Sequence, residues 1–513
     1  MCRLHLASGI RSGARTDGKS RARNGGFRGV NDLRQDWFRP PVPSSAQPRG
    51  RRPATAEPRR DALHPRGELL MRNITPVIAL GLALLAGPAV RADTIDVSST
   101  TFLTVGEQTR GGRAGETPEL VTVAPLYEIL NIAARGITNP IANDLQLVIS
   151  TWGSYELSDP RWDNGTSSDV TGDVVTGYLS GRLLGDALTL RLGRAHVMTG
   201  VARMIQLDGG EAIVALPFGI RLSGYAGVPV SQRFSSRSGV RSWNPVAGDL
   251  AYGGRAAWYL AIPGYSGRGL DVGASANFVE DGGDPVRQEV GADFRLQPFA
   301  KVLTFSGFAG FSLYDERFSE GNLAVSWAAM PRLHVTADWR YTAPDLLLSR
   351  SSILSVFSDE DRNDFGGGVR YELTKELELG ADYHLAIEPG EDGDYYGHIA
   401  EGSLEWGRGA TRAGGEVFFL DNEDNGYFGG RVFGRQDFGR FFATADVLAH
   451  LFRDQINGED YSLTGTLSAG AKLAKGFSAV VAGRAGMTPF LEQTYDVMAK
   501  LVYNQSYSIR EVR

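Results

Sequence analysis

Few residues in this 513-residue chain could do acid–base or nucleophilic chemistry. Beyond residue 92 the histidines are His196, His334, His384, His398 and His450. Ser462 is the hydroxyl that a His450 base would most simply activate, since a serine beside a histidine is the minimal nucleophile–base pair. A hydrolase working on membrane lipid would need such a pair on an apolar face. His334, His384, His450 and Ser462 instead fall on the polar positions of alternating segments. No HExxH, phosphate-cradling glycine loop or GxSxG occurs. The one cysteine, Cys2, excludes a disulfide framework and a cysteine metal site. The stretch 421–426, DNEDNG, has the look of a calcium loop, but Val432 stands where the bidentate carboxylate belongs. No catalytic, metal or cofactor-binding residue is expected.

Charge at regular spacing is the stronger signal. Arg191, Asp293, Arg295, Asp338, Arg340, Arg370, Glu378, Asp382, Glu416, Asp446, Lys472, Asp496 and Lys500 each alternate with apolar neighbours. Side chains of a strand point to opposite faces in turn, so such segments have one apolar and one charged face. The clearest example is 286–314. Val290, Ala292, Phe294 and Leu296 alternate with Glu289, Gly291, Asp293 and Arg295. After a break at Pro298–Lys301, Leu303, Phe305, Ala309, Phe311 and Leu313 continue the apolar face. In a soluble sandwich the apolar face would be a core; in a membrane barrel it would meet lipid, and the charged face would line a wet lumen.

The same unit recurs along the chain. Segments 173–184 and 187–200 meet at Gly185-Asp186, 204–217 and 220–230 at Pro217–Gly219, and 318–330 and 333–343 at Met330–Arg332. Counting such segments predicts about 22 strands, within roughly 18–24, each near the length that crosses a bilayer when tilted. Short breaks alternate with longer polar loops, as in barrels with short turns at one rim. Aromatic residues such as Trp258, Trp327, Trp339, Tyr341 and Trp406 fall near segment ends, where interfacial girdles form. No fixed-period repeat indicates a propeller. No linker after residue 93 divides the chain into sandwich domains.

The ends read differently. Residues 1–70 are basic and rich in Pro and Gly, without apolar periodicity, and are expected to be a mis-assigned upstream stretch or a disordered leader. Met71 opens MRNITPVIALGLALLAGPAVRA, with a positive start, an apolar core and a small-residue cleavage site, Val90-x-Ala92. Residues 71–92 are therefore read as an export signal and 93–513 as the mature domain. Of the 53 basic and 59 acidic residues, 17 and 6 lie in 1–92, which leaves a net charge of -17 beyond it. That balance disfavours nucleic acid as a partner.

Leu192-Gly193-Arg194 followed by Asp208-Gly209 resembles a step found in porin-like barrels, where a strand ends in Leu-Gly-Arg or Val-Gly-Arg and the next opens on Asp-Gly. On this motif and the repeated unit, the chain resembles bacterial outer-membrane porins, general or substrate-specific, and related export channels. The resemblance implies an all-β protein: one transmembrane antiparallel up-and-down barrel without a plug domain, in the outer membrane of a Gram-negative cell. It implies outer-membrane lipid, lipopolysaccharide and the barrel-assembly machinery as partners, with oligomerisation open. Such barrels usually end on an aromatic residue; here Tyr503 or Tyr507 would close the last strand ahead of a short tail.

The expected function is passive diffusion of small polar or charged solutes, biased by luminal charge. Two loops could narrow the passage. One is 231–249, with Arg233, Arg237 and Arg241. The other is the unusually apolar 345–362, with Leu347, Leu354 and Phe357. The alternatives are a structural or surface-interaction barrel whose lumen loops occlude, and an outer-membrane hydrolase.

Overall fold

The computed structural model describes residues 93–110, 119–137, 142–158, 170–235, 239–243, 249–261, 268–299, 302–343, 346, 361–389, 393–422, 425–489 and 491–508. Residues 1–70 and 71–92, read from the sequence as a leader and an export signal, lie outside them. The described chain is strand and turn, and no helix among these residues is long and apolar enough to cross a membrane.

One antiparallel sheet takes in all but two short strands. Its first strand, Thr94–Arg110, pairs with both Glu119–Val123 and Pro125–Ile137, which form one wall position interrupted at Ala124. Each later strand pairs with its sequence neighbours. The last, Leu491–Ser508, returns to the first, with Thr94 opposite Ser508 and Gly106 opposite Asp496. The sheet is thus a closed barrel of 22 wall positions, and no separate plug domain lies among the described residues. Closure removes the unpaired edges that an open sheet of this size would expose. The two remaining strands, Ser231–Ser235 and Gly239–Trp243, form a hairpin of their own between wall strands Ile220–Pro229 and Leu250–Ala261.

Three details differ from the sequence reading. The wall begins at Thr94, a strand that Thr- and Ser-rich alternation left weak. Tight turns occur at both rims: Gly282-Gly283 and Asn457-Gly458 lie at the rim expected to carry only longer loops. The final strand runs through both Tyr503 and Tyr507, whose hydroxyls are 2.5 Å apart.

The outward face is apolar and exposed. Val432 and Leu467 are 68% and 69% exposed, and Phe294, Trp327, Phe419 and Val497 are exposed with them. The Glu128 carboxylate sits on this face, opposite Thr101 and Gly153. Ser99 Oγ donates to it at 2.6 Å, and the Thr101 hydroxyl donates as well.

Candidate functional site

The concave side of the wall is identified by one side chain. Arg203 precedes the strand Ile205–Ala215, yet its guanidinium reaches Glu289 (3.0 Å) and Glu320 (2.6 Å), four and six strands further along the wall. A convex surface would carry those groups apart, so Glu289 and Glu320 face the interior. Directly opposed residues share a face. Stepping from Glu289 across partners in one direction gives Asn277, Gly253, Tyr225, Glu211 and Arg191. The register in the other direction leads round to Asp496 and Lys500. All thirteen charged residues singled out from the sequence fall on this interior face. Phe294 and Phe305 fall on the outer one, and Pro298 is the last residue but one of its strand, beside the rim turn.

Within one arc the interior is filled by a loop. The segment between strands Leu188–Val197 and Ile205–Ala215 looks like a short connection in the sequence, but it turns inward through a single 3-10 turn, Gly200–Ala202. Val201 is fully buried, and its backbone N–H donates to Ser275 Oγ (3.0 Å). A Cβ on Gly291 would stand 2.3 Å from Val201 Cγ1, so only glycine admits the loop there. Ala202 packs into an apolar cluster with Val197, Leu207, Tyr225 and Ala251. Tyr225 donates to Asn277 Oδ1 at 2.7 Å. Glu289, 2% exposed, is held by Arg203 and also by Arg287 at 3.4 Å. Arg287 in turn donates to the Leu346 carbonyl (3.2 Å), which ties the start of a second loop to the same wall. Sequence reasoning missed this loop; the signal available was an apolar Gly-Val-Ala flanked by Met198 and Arg203 where a polar turn belonged.

The Leu-Gly-Arg and Asp-Gly motif has a structural basis. Arg194 is almost fully buried. It makes paired bonds to Asp208 (2.6 and 2.7 Å), one to Asp173 (3.2 Å) and one to the Val174 carbonyl (3.0 Å). Gly193 has φ +122°, and a Cβ on it would stand 2.2 Å from the Gly177 carbonyl oxygen. The motif is a bidentate clamp between neighbouring strands at a backbone kink that only glycine permits.

Interior charges are paired or opposed across the wall. Arg191 meets Glu211 (2.9 Å) and lies 5.2 Å from the Tyr178 ring. Arg255 joins Asp293 (2.5 Å) and Asp271 (2.8 Å). Arg431 joins Asp446 (2.5 Å) and Glu416 (3.5 Å), and Arg484 pairs with Asp496. Asp338 pairs with His384 (3.2 Å), while Arg340 stands opposite Asp364 and Asn322. Glu378 stands opposite Glu372 and Glu405, Asp382 opposite Glu401, Arg370 opposite His334, Arg295 opposite Ser306, Lys472 opposite Ser478 and Lys500 opposite Val480.

His450 Nδ1 and Ser462 Oγ do approach to 3.1 Å, inside the barrel and among Phe418, Tyr427 and Phe452. His334 Nε2 is 3.0 Å from Ser326 Oγ. His398 differs from His334, His384 and His450: it lies on the outer face, 2.8 Å from the Tyr383 hydroxyl. Among the described residues no cluster of His, Cys, Asp and Glu has the arrangement of a metal site.

Of the candidate loop residues, Arg233 and Arg241 are cross-strand partners in the small hairpin. The Gly239–Trp243 strand of that hairpin leans back toward the wall strand Val170–Leu183. Arg237, Leu347, Leu354 and Phe357 lie outside the described residues.

No family model and no curated protein sequence matches the chain. Solved structures similar to it include Acinetobacter baumannii OccAB3 (9% identity, TM-score 0.40, 81% of this chain and 99% of that one). Pseudomonas aeruginosa OpdK, solved with vanillate, is similar at 11% identity and TM-score 0.39, over 81% of this chain and 98% of that one. Pseudomonas aeruginosa OccK3 (OpdO) is similar at 9% identity and TM-score 0.40, over 84% and 99%. The likeness is loose, and the reading of the site rests on the strand register of this chain.

Proposed function

We propose that the chain is an outer-membrane channel through which small polar or charged solutes diffuse passively. The observation that carries this is the division of faces on a closed wall of 22 positions. Outward positions present exposed aliphatic and aromatic side chains, and interior positions hold arginines, carboxylates and histidines. Hydrocarbon is the solvent that matches the outer face, and water the one that matches the inner. A lumen of this strand number is too wide for its own side chains to fill. The thirteen interior charges would then set solute preference. The inward segment 198–204 narrows one arc, and loops 231–249 and 345–362 would narrow it further.

Export through a cleaved signal at 71–92 and assembly by the barrel-insertion machinery belong to the same reading. So do contacts with lipid and lipopolysaccharide, and no catalysis is assigned to the chain. A structural barrel with an occluded lumen is the second reading. It is favoured by the burial of Val201 and the tethering of Leu346 by Arg287, both of which take space from the interior.

The test is ion current through purified full-length protein in planar bilayers. Stepwise ohmic conductance is expected. Folded protein, recognised by heat-modifiable gel mobility, that inserts without conducting would overturn the channel reading in favour of the occluded barrel.

A further inference from the structure

On four adjacent strands, Thr411–Asp421, Gly426–Phe438, Phe441–Ile456 and Glu459–Ala474, three phenylalanines face the interior, each over a glycine of the neighbouring strand. Phe418 is opposite Gly429, and its ring carbons stand 1.9–2.6 Å from where a Cβ on that glycine would be. Phe433 is opposite Gly414, with ring carbons at 2.5 and 3.0 Å, and Phe442 is opposite Gly470, at 2.3 and 2.4 Å. Each ring thus takes the space of the missing side chain and lies down on the wall. All three are half-buried and keep part of their surface open to the lumen.

The rings are evenly stepped. Phe418 is level with Gly429 and Phe442 with Asp437, so along Gly426–Phe438 the stations are residues 429, 433 and 437. Four residues of strand separate successive stations by about 13 Å. Polar groups flank each station. Tyr427 and His450 lie beside Phe418, with ring centroids 6.1 and 5.4 Å away. Ser462 bonds His450. The Arg431 guanidinium is 5.0 Å from the Phe433 ring centre and that of Arg435 is 4.5 Å from Phe442. Both arginines are committed to carboxylates: Arg431 to Asp446 and Glu416, Arg435 to Asp437 at 2.9 Å. The two guanidiniums that touch the rings are thus neutralised, while Arg412, opposite Arg435, and Lys472, opposite Ser478, add positive charge at the Phe442 end of the row.

We propose that this row is a binding track for neutral ring-shaped polyols, that is, saccharides. It rests on the channel reading given above and names the solute class for it. The C–H groups on one face of a sugar ring carry slight positive charge and meet the negative face of a phenyl ring. The hydroxyls exchange with the arginine–carboxylate pairs, Tyr427 and Ser462. An anionic ring lying on these phenyl rings would face Glu416, Asp437 and Asp446, whose partners Arg431 and Arg435 are already engaged.

The experiment uses full-length protein in planar bilayers, with maltotriose as the neutral probe and benzoate as the anionic ring. Maltotriose is expected to interrupt the wild-type current. The half-blocking concentration should rise about tenfold in Phe418→Ala and in Phe433→Ala, the effect of losing one ring contact. Phe418→Leu keeps volume without a ring and should behave like Phe418→Ala even if the alanine variant assembles poorly. A current indifferent to maltotriose, or a blockade unchanged in the three variants, would overturn the track. Stronger blockade by benzoate than by maltotriose would overturn the solute class. Folded wild-type protein without current removes the channel itself, and with it the track, which separates that failure from the others.

Discussion

Arg203 and Arg431 each hold two carboxylates inside the same barrel, and the two sites differ in the burial of one of those carboxylates. Arg203 binds a glutamate that is 2% exposed, beneath a loop whose Val201 is fully buried. Arg431 binds Asp446 and Glu416 on an arc where these side chains remain 39%, 32% and 22% exposed. In the first arc the ion pairs are structural: they fasten an inward segment against a wall four to six strands away. In the second they border open lumen, where water screens them and a passing solute can compete for them. One residue type therefore does two jobs, and desolvation decides which.

The largest effect that would sharpen this comparison is expected from Arg203→Ala. It leaves the buried Glu289 with Arg287 at 3.4 Å, releases Glu320, and should cost about 3 kcal/mol of stability in a denaturant titration followed by tryptophan fluorescence. The freed loop should also raise single-channel conductance. By contrast, Arg431→Ala should cost less than about 1 kcal/mol in the same titration, because exposed pairs contribute little. Its effect belongs in the reversal potential under a salt gradient, which should shift toward cation preference as Asp446 and Glu416 lose their counter-charge. Equal stability losses in the two variants would break the comparison. The smallest effect concerns the outer wall. Glu128→Leu removes a carboxylate from a lipid-facing position and should stabilise the reconstituted barrel by about 1 kcal/mol; a loss of stability there would mean that Glu128 is matched by a partner other than lipid.

Much of the wall was legible in the sequence because its code has period two. Leu333, Val335, Ala337 and Trp339 alternate with His334, Thr336, Asp338 and Arg340, and the structure places the two sets on opposite faces. The strand count could be read for the same reason. Thr94–Arg110 was harder, since Ser99 and Thr101 stand at outward positions and blur the alternation. The inward loop was not legible at all. Its anchors, Ser275, Glu289 and Glu320, are up to 117 positions away in sequence from the residues they hold, and no local pattern encodes a contact across a lumen. The pairing of individual charges escaped for a related reason. Alternating Asp338 and Arg340 suggest bridges to the adjacent strands, but Asp338 pairs with His384 on a strand two places away.

The seam between Thr94–Gly106 and Asp496–Ser508 has a consequence for the life of the chain before it is a barrel. Ser506 donates to Asp96 across 410 positions of sequence, whereas every other wall strand finds its partners next to it in the chain. Closing a loop of that length costs only about 5 kcal/mol beyond a fixed term, so thirteen cross-strand pairs offset it readily once both ends exist. Until they do, the nascent sheet has two raw edges, each with a full row of unpaired backbone donors and acceptors. A second nascent copy presents the same two edges and competes for them. Crowding of unclosed sheets therefore favours edge-to-edge pairing between chains over closure within one.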